Sequence, residues 1–425
     1  MSDGASAEEK RGAVKDGRSA RPKADRPAKS RWRRRILIAL AAVPVLLMIL
    51  WIAIHRFEWL GPWLADLGRS VVGNDAIAKL EDFAYGVEDR VKRATKADEA
   101  PEPMWDVPAD VPAPTPSPGS DALPLAMRYP KFHVDNVGPM LKSFSAPGDG
   151  HWVPVLDARN PGEPAPLLKT LLHPDKNRSW SAVVVVAADL AQLRLNIVPG
   201  IHEPMTKDKD AKEFKRTGVI ADADVETALA AFNGGFKTTH GQYGMKVGAL
   251  EFVPPRARSC AVAAYPGDVL KVRSWEELEP TKDQMSWLRQ TPMCMVEEGK
   301  LHPGLQLENN THWGATLDKN TVIRRSAIGL SADSKVLFVA ISEATSATTL
   351  ATAMQFAGAA NVAQLDVNFS YPKFLTIEKV DGAPREGRAG NWVVRPISKG
   401  FEFTEDDYIR KEMSRDFFYL TRKSP

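Results

Sequence analysis

The pattern of apolar and polar positions changes rhythm several times along this chain. Residues 36–54, ILIALAAVPVLLMILWIAI, carry no charged side chain. At a rise of about 1.5 Å per residue the run makes a helix of roughly 28 Å, the thickness of bilayer hydrocarbon. It predicts one transmembrane helix, in which Pro44 is tolerated. From Trp63 to about Lys96 apolar residues recur every three or four positions (Leu64, Leu67, Val71, Ile77, Leu80, Phe83, Ala84, Val87), so residues 55–99 read as a helical juxtamembrane stalk or a surface-lying helix. Prolines crowd residues 100–122 and predict an extended spacer.

Beyond the spacer the pattern becomes that of a globular domain over residues 123–425. The β-branched run SAVVVVAADL, Ser181 to Leu190, predicts a buried strand. Gln192 to Gly200 alternates Leu193, Leu195 and Ile197, as expected of a strand with one wet face. Lys335 to Glu343 reads as a further strand. A helix follows, with Ser346 as N-cap, Leu350, Met354 and Ala357 on one face and a stop at Gly358. NVAQLD is then a short strand ending at Asp366. Strands and helices do not alternate regularly, so the expected class is α+β, a mixed β-sheet domain preceded by one transmembrane helix.

Charge adds an orientation. Residues 1–35 hold twelve Lys or Arg and five acids, a net of +7, which leaves −4 for the rest of a chain whose total is +3. Such a segment buries too little apolar surface to order itself and reads as a disordered cytoplasmic tail. RWRRR, Arg31 to Arg35, abuts the apolar run, and the positive-inside rule then sends everything after Ile54 across the membrane. A cleaved signal peptide is the alternative; the run is longer than its apolar region, and no small-x-small site follows. Trp51, Trp59 and Trp63 suit an interfacial belt. The expected setting is a single-pass protein with an extracytoplasmic domain, the periplasm beside a bacterial inner membrane fitting best. No basic patch spreads over the domain, so no nucleic-acid partner is expected. The cysteines, Cys260 and Cys294, lack metal-ligand spacing; two buried thiols are the commoner arrangement for such a pair, and one disulfide is the alternative in an oxidising compartment.

Candidate chemistry gathers in three places. AAFNGGFKTTHGQYGMKVG, Ala230 to Gly248, ends an apolar run on a glycine-rich loop that also carries His240, Tyr243 and Lys246. Glycine permits turns and close approach, so the loop reads as the floor of a site, with His240 and Lys246 placed to contact an anion. Asp366 stands where a buried strand meets the loop VNFSYPKF, which contains Asn368 and Ser370. Arg324 and Arg325 precede a strand, where a guanidinium can fork onto phosphate or carboxylate.

In this order AAFNGGF, RRSAIGLSAD and GAANVAQLD resemble the motifs of the phosphodiester glycosidase family, which includes the uncovering enzyme and exopolysaccharide-related bacterial proteins. LRLNIVPGIHEPMT is similar to that family's opening strand and G-x-x-x-P turn. The resemblance spans about residues 179–396. It implies a carbohydrate or sugar-phosphate ligand and hydrolysis of the bond between an anomeric carbon and a phosphate. On that basis Asn233 would bond sugar or phosphate, Gly234 and Gly235 would allow close approach, Arg325 would hold phosphate and Asp366 would act at the anomeric centre or its leaving group. Asn368 and Ser370 would join the ligand shell. The family's LDGGGSS is Leu365-Asp366-Val367-Asn368-Phe369-Ser370-Tyr371 here, so three glycines have become side chains. Two classes therefore stand: a hydrolase of altered specificity, and a non-catalytic glycan-binding or scaffold homologue. No metal-binding or nucleotide-binding pattern occurs, and no cofactor is expected.

Overall fold

The computed structural model describes residues 74–96, 98–106, 132–157, 159, 164–306, 313, 321–367, 370–382 and 389–423, with five isolated helical positions, Ala42, Val43, Val45, Ile49 and Ala53. The basic tail, most of the apolar run 36–54, residues 55–73, the spacer from 107 on and Asn368 lie outside these. Among the described residues no helix is long and apolar enough to cross a membrane. The chain divides into two compact units, residues 1–67 and 68–425.

The strands of the second unit are β1 (Val153–Pro154), β2 (Leu167–Leu172), β3 (Val183–Asp189), β4 (Leu193–Val198), β5 (Ala228–Asn233) and β6 (Met245–Val247). Next come β7 (Leu250–Val253), β8 (Cys260–Tyr265), β9 (Val269–Ser274), β10 (Trp287–Thr291), β11 (Val296–Glu297) and β12 (Lys300–Leu301). The last six are β13 (Ile323–Leu330), β14 (Val336–Thr345), β15 (Asn361–Gln364), β16 (Phe374–Lys379), β17 (Trp392–Pro396) and β18 (Phe417–Arg422). The helices are α1 (Asn74–Thr95), α2 (Lys209–Glu213), α3 (Trp275–Leu278) and α4 (Ala347–Phe356). The fold is thus α+β and dominated by sheet.

Among the described residues three sheets form: β1-β2-β3-β14-β13-β15-β11-β12, β7-β6-β10-β8-β9 and β17-β16-β5-β18-β4. Their inner faces share one core, to which Val184 and Val186 of β3, Phe232 of β5, Val262 of β8, Ile328 of β13 and Phe418 of β18 all belong. The outer face of the first sheet is covered too, by Leu350 and Met354 of α4. Burial on both faces explains why β3 is apolar without alternation, whereas β4 alternates and exposes Arg194. Helix α4 has the expected ends. Ser346 Oγ accepts from Thr349 N at 3.1 Å, and the chain leaves through Gly358 at φ +108°.

The segment expected to be a stalk is docked on the domain. Asp89 of α1 accepts from Arg178 Nε at 2.6 Å and Nη2 at 2.7 Å. Farther along, Met104 and Trp105 pack on the shared core, and the Lys169 ammonium lies 4.2 Å from the Trp105 ring centre. The packed unit therefore begins well before residue 123. Of the two arrangements open to Cys260 and Cys294, the structure has the disulfide, between the start of β8 and the chain just past its partner β10.

Candidate functional site

The register of the third sheet assembles the site. β5 pairs with β16 and β18 so that Phe232 faces Phe374 on one side and Phe418 on the other. The three rings stack at centroid distances of 5.6 and 5.5 Å, and such cross-strand aromatic contacts fix register. One residue on, Asn233, Lys373 and Asp416 meet at the ends of their strands. Asn233 N donates to Lys373 O, and Gly234 N donates to Asp416 O at 3.0 Å.

The first sheet meets this corner through Ser326 on β13. Its hydroxyl accepts from Asn233 Nδ2 at 2.8 Å and donates to the Asp366 carbonyl at 3.1 Å. Asp366 N returns a bond to Gly234 O at 3.1 Å. Asn233, Gly234, Gly235 and Asp366 are therefore brought together, and all are buried. The second sheet contributes Arg289 on β10. Its guanidinium forks onto Asp416, Nε to Oδ2 at 2.8 Å and Nη2 to Oδ1 at 3.0 Å, and also donates to Phe236 O and Tyr243 O. Gly235 N donates to the same Asp416 carboxylate at 2.9 Å.

Arg325 takes another course. Successive strand residues face opposite ways, so Arg325 points away from the side on which Ser326 meets Asn233. It is fully buried and donates to Thr345 O, Trp313 O, Thr321 O and Gln364 Oε1. The guanidinium at the Asp366 carboxylate belongs to Arg415, which ion-pairs with Oδ2. Tyr371, standing after the positions where the family motif has glycines, lies under Arg415 with its ring centre 4.6 Å from the guanidinium carbon. Its hydroxyl donates to Asp416 O. Burial, with the Asp416 charge beside it, pushes the Tyr371 hydroxyl well above its ordinary range, so it remains a donor.

The glycines serve this corner directly. A Cβ on Gly234 would lie 2.2 Å from Asp416 Oδ2, and one on Gly235 would lie 2.5 Å from Arg289 Cζ. The groups that approach the glycines are the protein's own. Gly200, in the G-x-x-x-P turn, is shaped the same way by the Arg415 backbone, 2.3 Å from its ideal Cβ.

The remaining predicted residues are dispersed. Lys246 lies on β6, and its ammonium donates to Lys282 O at 3.1 Å. His240 closes a 3-10 turn, Thr238–His240, which Glu203 anchors by accepting from Thr238 N and Oγ1. Ser370 is half-buried in the turn before Tyr371.

Of the residues missed by sequence reasoning, Arg289, Ser326, Tyr371 and Lys373 lie on or beside the strands already described, and the others come from the charged segment after Pro396, which carries no recognisable motif. It supplies Arg415 and Asp416, and also Asp407, which is buried and holds the Lys373 ammonium at 2.9 Å and the surface Lys411 ammonium at 3.0 Å. Burial alone would raise the Asp407 carboxyl, but the Lys373 charge and the hydrogen bonds from Lys373 and Thr404 hold it below its ordinary value. A signal was present: an Arg-Asp pair directly before FFYLTR, a strand-like run whose neighbours must bury whatever charge precedes it. The corner thus matches each of three buried acids to a buried base: Asp366 to Arg415, Asp416 to Arg289 and Asp407 to Lys373. Among the described residues no cluster of His, Cys, Asp and Glu could hold a metal.

No family model matches the chain, and no curated protein matches it significantly in sequence. Among solved structures, the catalytic domain of zebrafish N-acetylglucosamine-1-phosphodiester alpha-N-acetylglucosaminidase, auto-inhibited by its pro-peptide, is similar at a TM-score of 0.39 and 12% identity. That likeness covers 64% of this chain and 87% of the other. A hypothetical protein from Synechocystis is similar at a TM-score of 0.33 and 10% identity, over 62% of this chain and 63% of the other.

Proposed function

We propose that this chain is a membrane-anchored, extracytoplasmic homologue of glycosyl phosphodiester hydrolases that recognises phosphate-bearing glycans of the envelope without cleaving them. The family-like motifs motivate the ligand class. The loss of turnover rests on one observation: the Asp366 carboxylate is fully buried and ion-paired to Arg415, whose guanidinium in turn lies over the Tyr371 ring. An acid that acts at an anomeric centre must reach the substrate. A phosphodiester entering this corner would also find each buried cation already matched by a carboxylate, and displacing such a pair carries a heavy desolvation cost.

A second reading is favoured by the convergence of Asn233, Gly234 and Asp366 from distant parts of the chain. Here the corner opens on substrate, and Arg415, rather than Arg325, takes the phosphate. Sugar release by the full-length protein in detergent, from a panel of N-acetylhexosamine 1-phosphodiesters, separates the two. The expected result is no release above that of Asp366→Asn, with both proteins binding ligand within a few-fold of each other. Turnover that vanishes in Asp366→Asn overturns the non-catalytic reading.

The anchor and its orientation rest on the uncharged run 36–54 behind RWRRR. The Cys260–Cys294 disulfide supports an oxidising compartment for the domain. A reporter active only outside the cytoplasm, fused after Pro425, should be active. A silent fusion, with a cytoplasmic reporter active in its place, overturns the topology.

A further inference from the structure

A cavity of about 390 Å³ opens between the C-terminal turn of α1 and the turn joining β2 to β3. Among the described residues its lining contains Arg93, Lys96 and Lys176 against a single acid, Glu99, with Phe144, Asn177 and Ser179 beside them. None of these belongs to the buried corner around Asp366.

The walls are held in place. Arg178, largely shielded from solvent, grips Asp89 of α1 with two hydrogen bonds and Asp175 of the turn with a third at 2.6 Å. One guanidinium thereby fixes the helix against the turn, a planar fork suited to such a clamp. Lys96 pairs with Glu99 at 2.8 Å, and Arg93 pairs with Asp89 at 3.1 Å. Asp89 is shared with Arg178, so the cations outnumber the acids. The lining carries a net +2 and the clamp a net −1, which leaves one surplus positive charge. The Arg93 and Lys96 cations are each about half-exposed, so their pairs are weak and an anion can compete for them at little cost. The Asp366 corner is the reverse, closed and balanced.

We propose that this groove binds a phosphate-bearing saccharide, with the phosphate among Arg93, Lys96 and Lys176 and a sugar face against Phe144. Lysine and arginine are the usual phosphate donors, and a half-buried aromatic ring offers the apolar platform that a pyranose face requires. The exposed Asn177 amide supplies both a donor and an acceptor for hydroxyls. The choice of ligand rests on the proposed recognition function; the site itself rests on the cavity and its charge.

The test is calorimetric titration of the full-length protein in neutral detergent with N-acetylglucosamine 1-phosphate, N-acetylglucosamine and inorganic phosphate. The sugar phosphate should bind most tightly. Lys176→Glu, on an exposed side chain, and Lys96→Glu, on a half-exposed one, should each weaken it at least tenfold with an unchanged melting temperature. Phe144→Ala should weaken the sugar phosphate several-fold and leave inorganic phosphate unaffected. Sugar-phosphate binding that survives both charge reversals overturns the groove and leaves recognition elsewhere on the protein. Equal affinity for sugar phosphate and inorganic phosphate overturns the saccharide assignment. Absence of binding by the wild type overturns both the groove and the recognition reading. Asp366-dependent sugar release overturns only the non-catalytic reading.

Discussion

Replacing Asp416 by alanine should cost the domain about 3–5 kcal/mol, because it strands the Arg289 guanidinium in a buried site without its counter-ion. Arg289 has no solvent exposure, and its bidentate contact with Asp416 joins the second sheet to the third. The same substitution frees Gly235 N and the space beside it. Chemical denaturation of wild type, Asp416→Ala, Arg289→Met and the double variant carrying both substitutions would measure the effect. The double variant should be less destabilised than the sum of its parts, since removing both charges leaves neither unpaired. An Asp416→Ala protein within about 0.5 kcal/mol of wild type, the size of an ordinary surface effect, would refute a structural corner.

Gly234→Ala should cost about 3 kcal/mol, near the upper end of overpacking penalties. The added Cβ would lie 2.2 Å from the Asp416 carboxylate and 2.4 Å from its backbone oxygen, and a strand end cannot retreat as a flexible side chain can. Gly248→Ala provides the contrast. That glycine has φ +59° and nothing within 4 Å of its Cβ, so the change carries only the left-handed backbone cost of about 1–2 kcal/mol. If Gly234 instead exists to admit a ligand, the alanine variant will be as stable as wild type and lose binding alone. Measuring both properties on one preparation decides between the two.

Elements governed by local pattern can be read directly from the chain. β3, β4, β14 and α4 lie within a residue or two of where their apolar spacing puts them, and Ser346 and Gly358 bound α4 as expected. The partners of those elements cannot be read, because pairing depends on surfaces distant in sequence. Arg325 shows the difference. Its residue type suits phosphate, but a single strand position decides which face it takes, and Ser326 holds the other face. Arg415 and Asp416 do not stand out for a related reason. Charged residues near the surface-like segment after Pro396 look solvated until the strands that enclose them are known. Asn233 and Asp366 stand out together in the sequence, and they do meet, through a hydroxyl that no motif highlights.

The position of β18 has a kinetic consequence. It lies between β5 and β4, so the third sheet stays split until β18 is made and finds its slot. Contacts across it span 181 positions at Gly235 and 225 at Asn196. Chains dominated by such distant pairings close slowly, and β4 and β5 present unpaired edges to one another meanwhile. The domain should therefore reach its folded state late, after most of its residues have emerged, and depend in that interval on whatever shields exposed strand edges from aggregation.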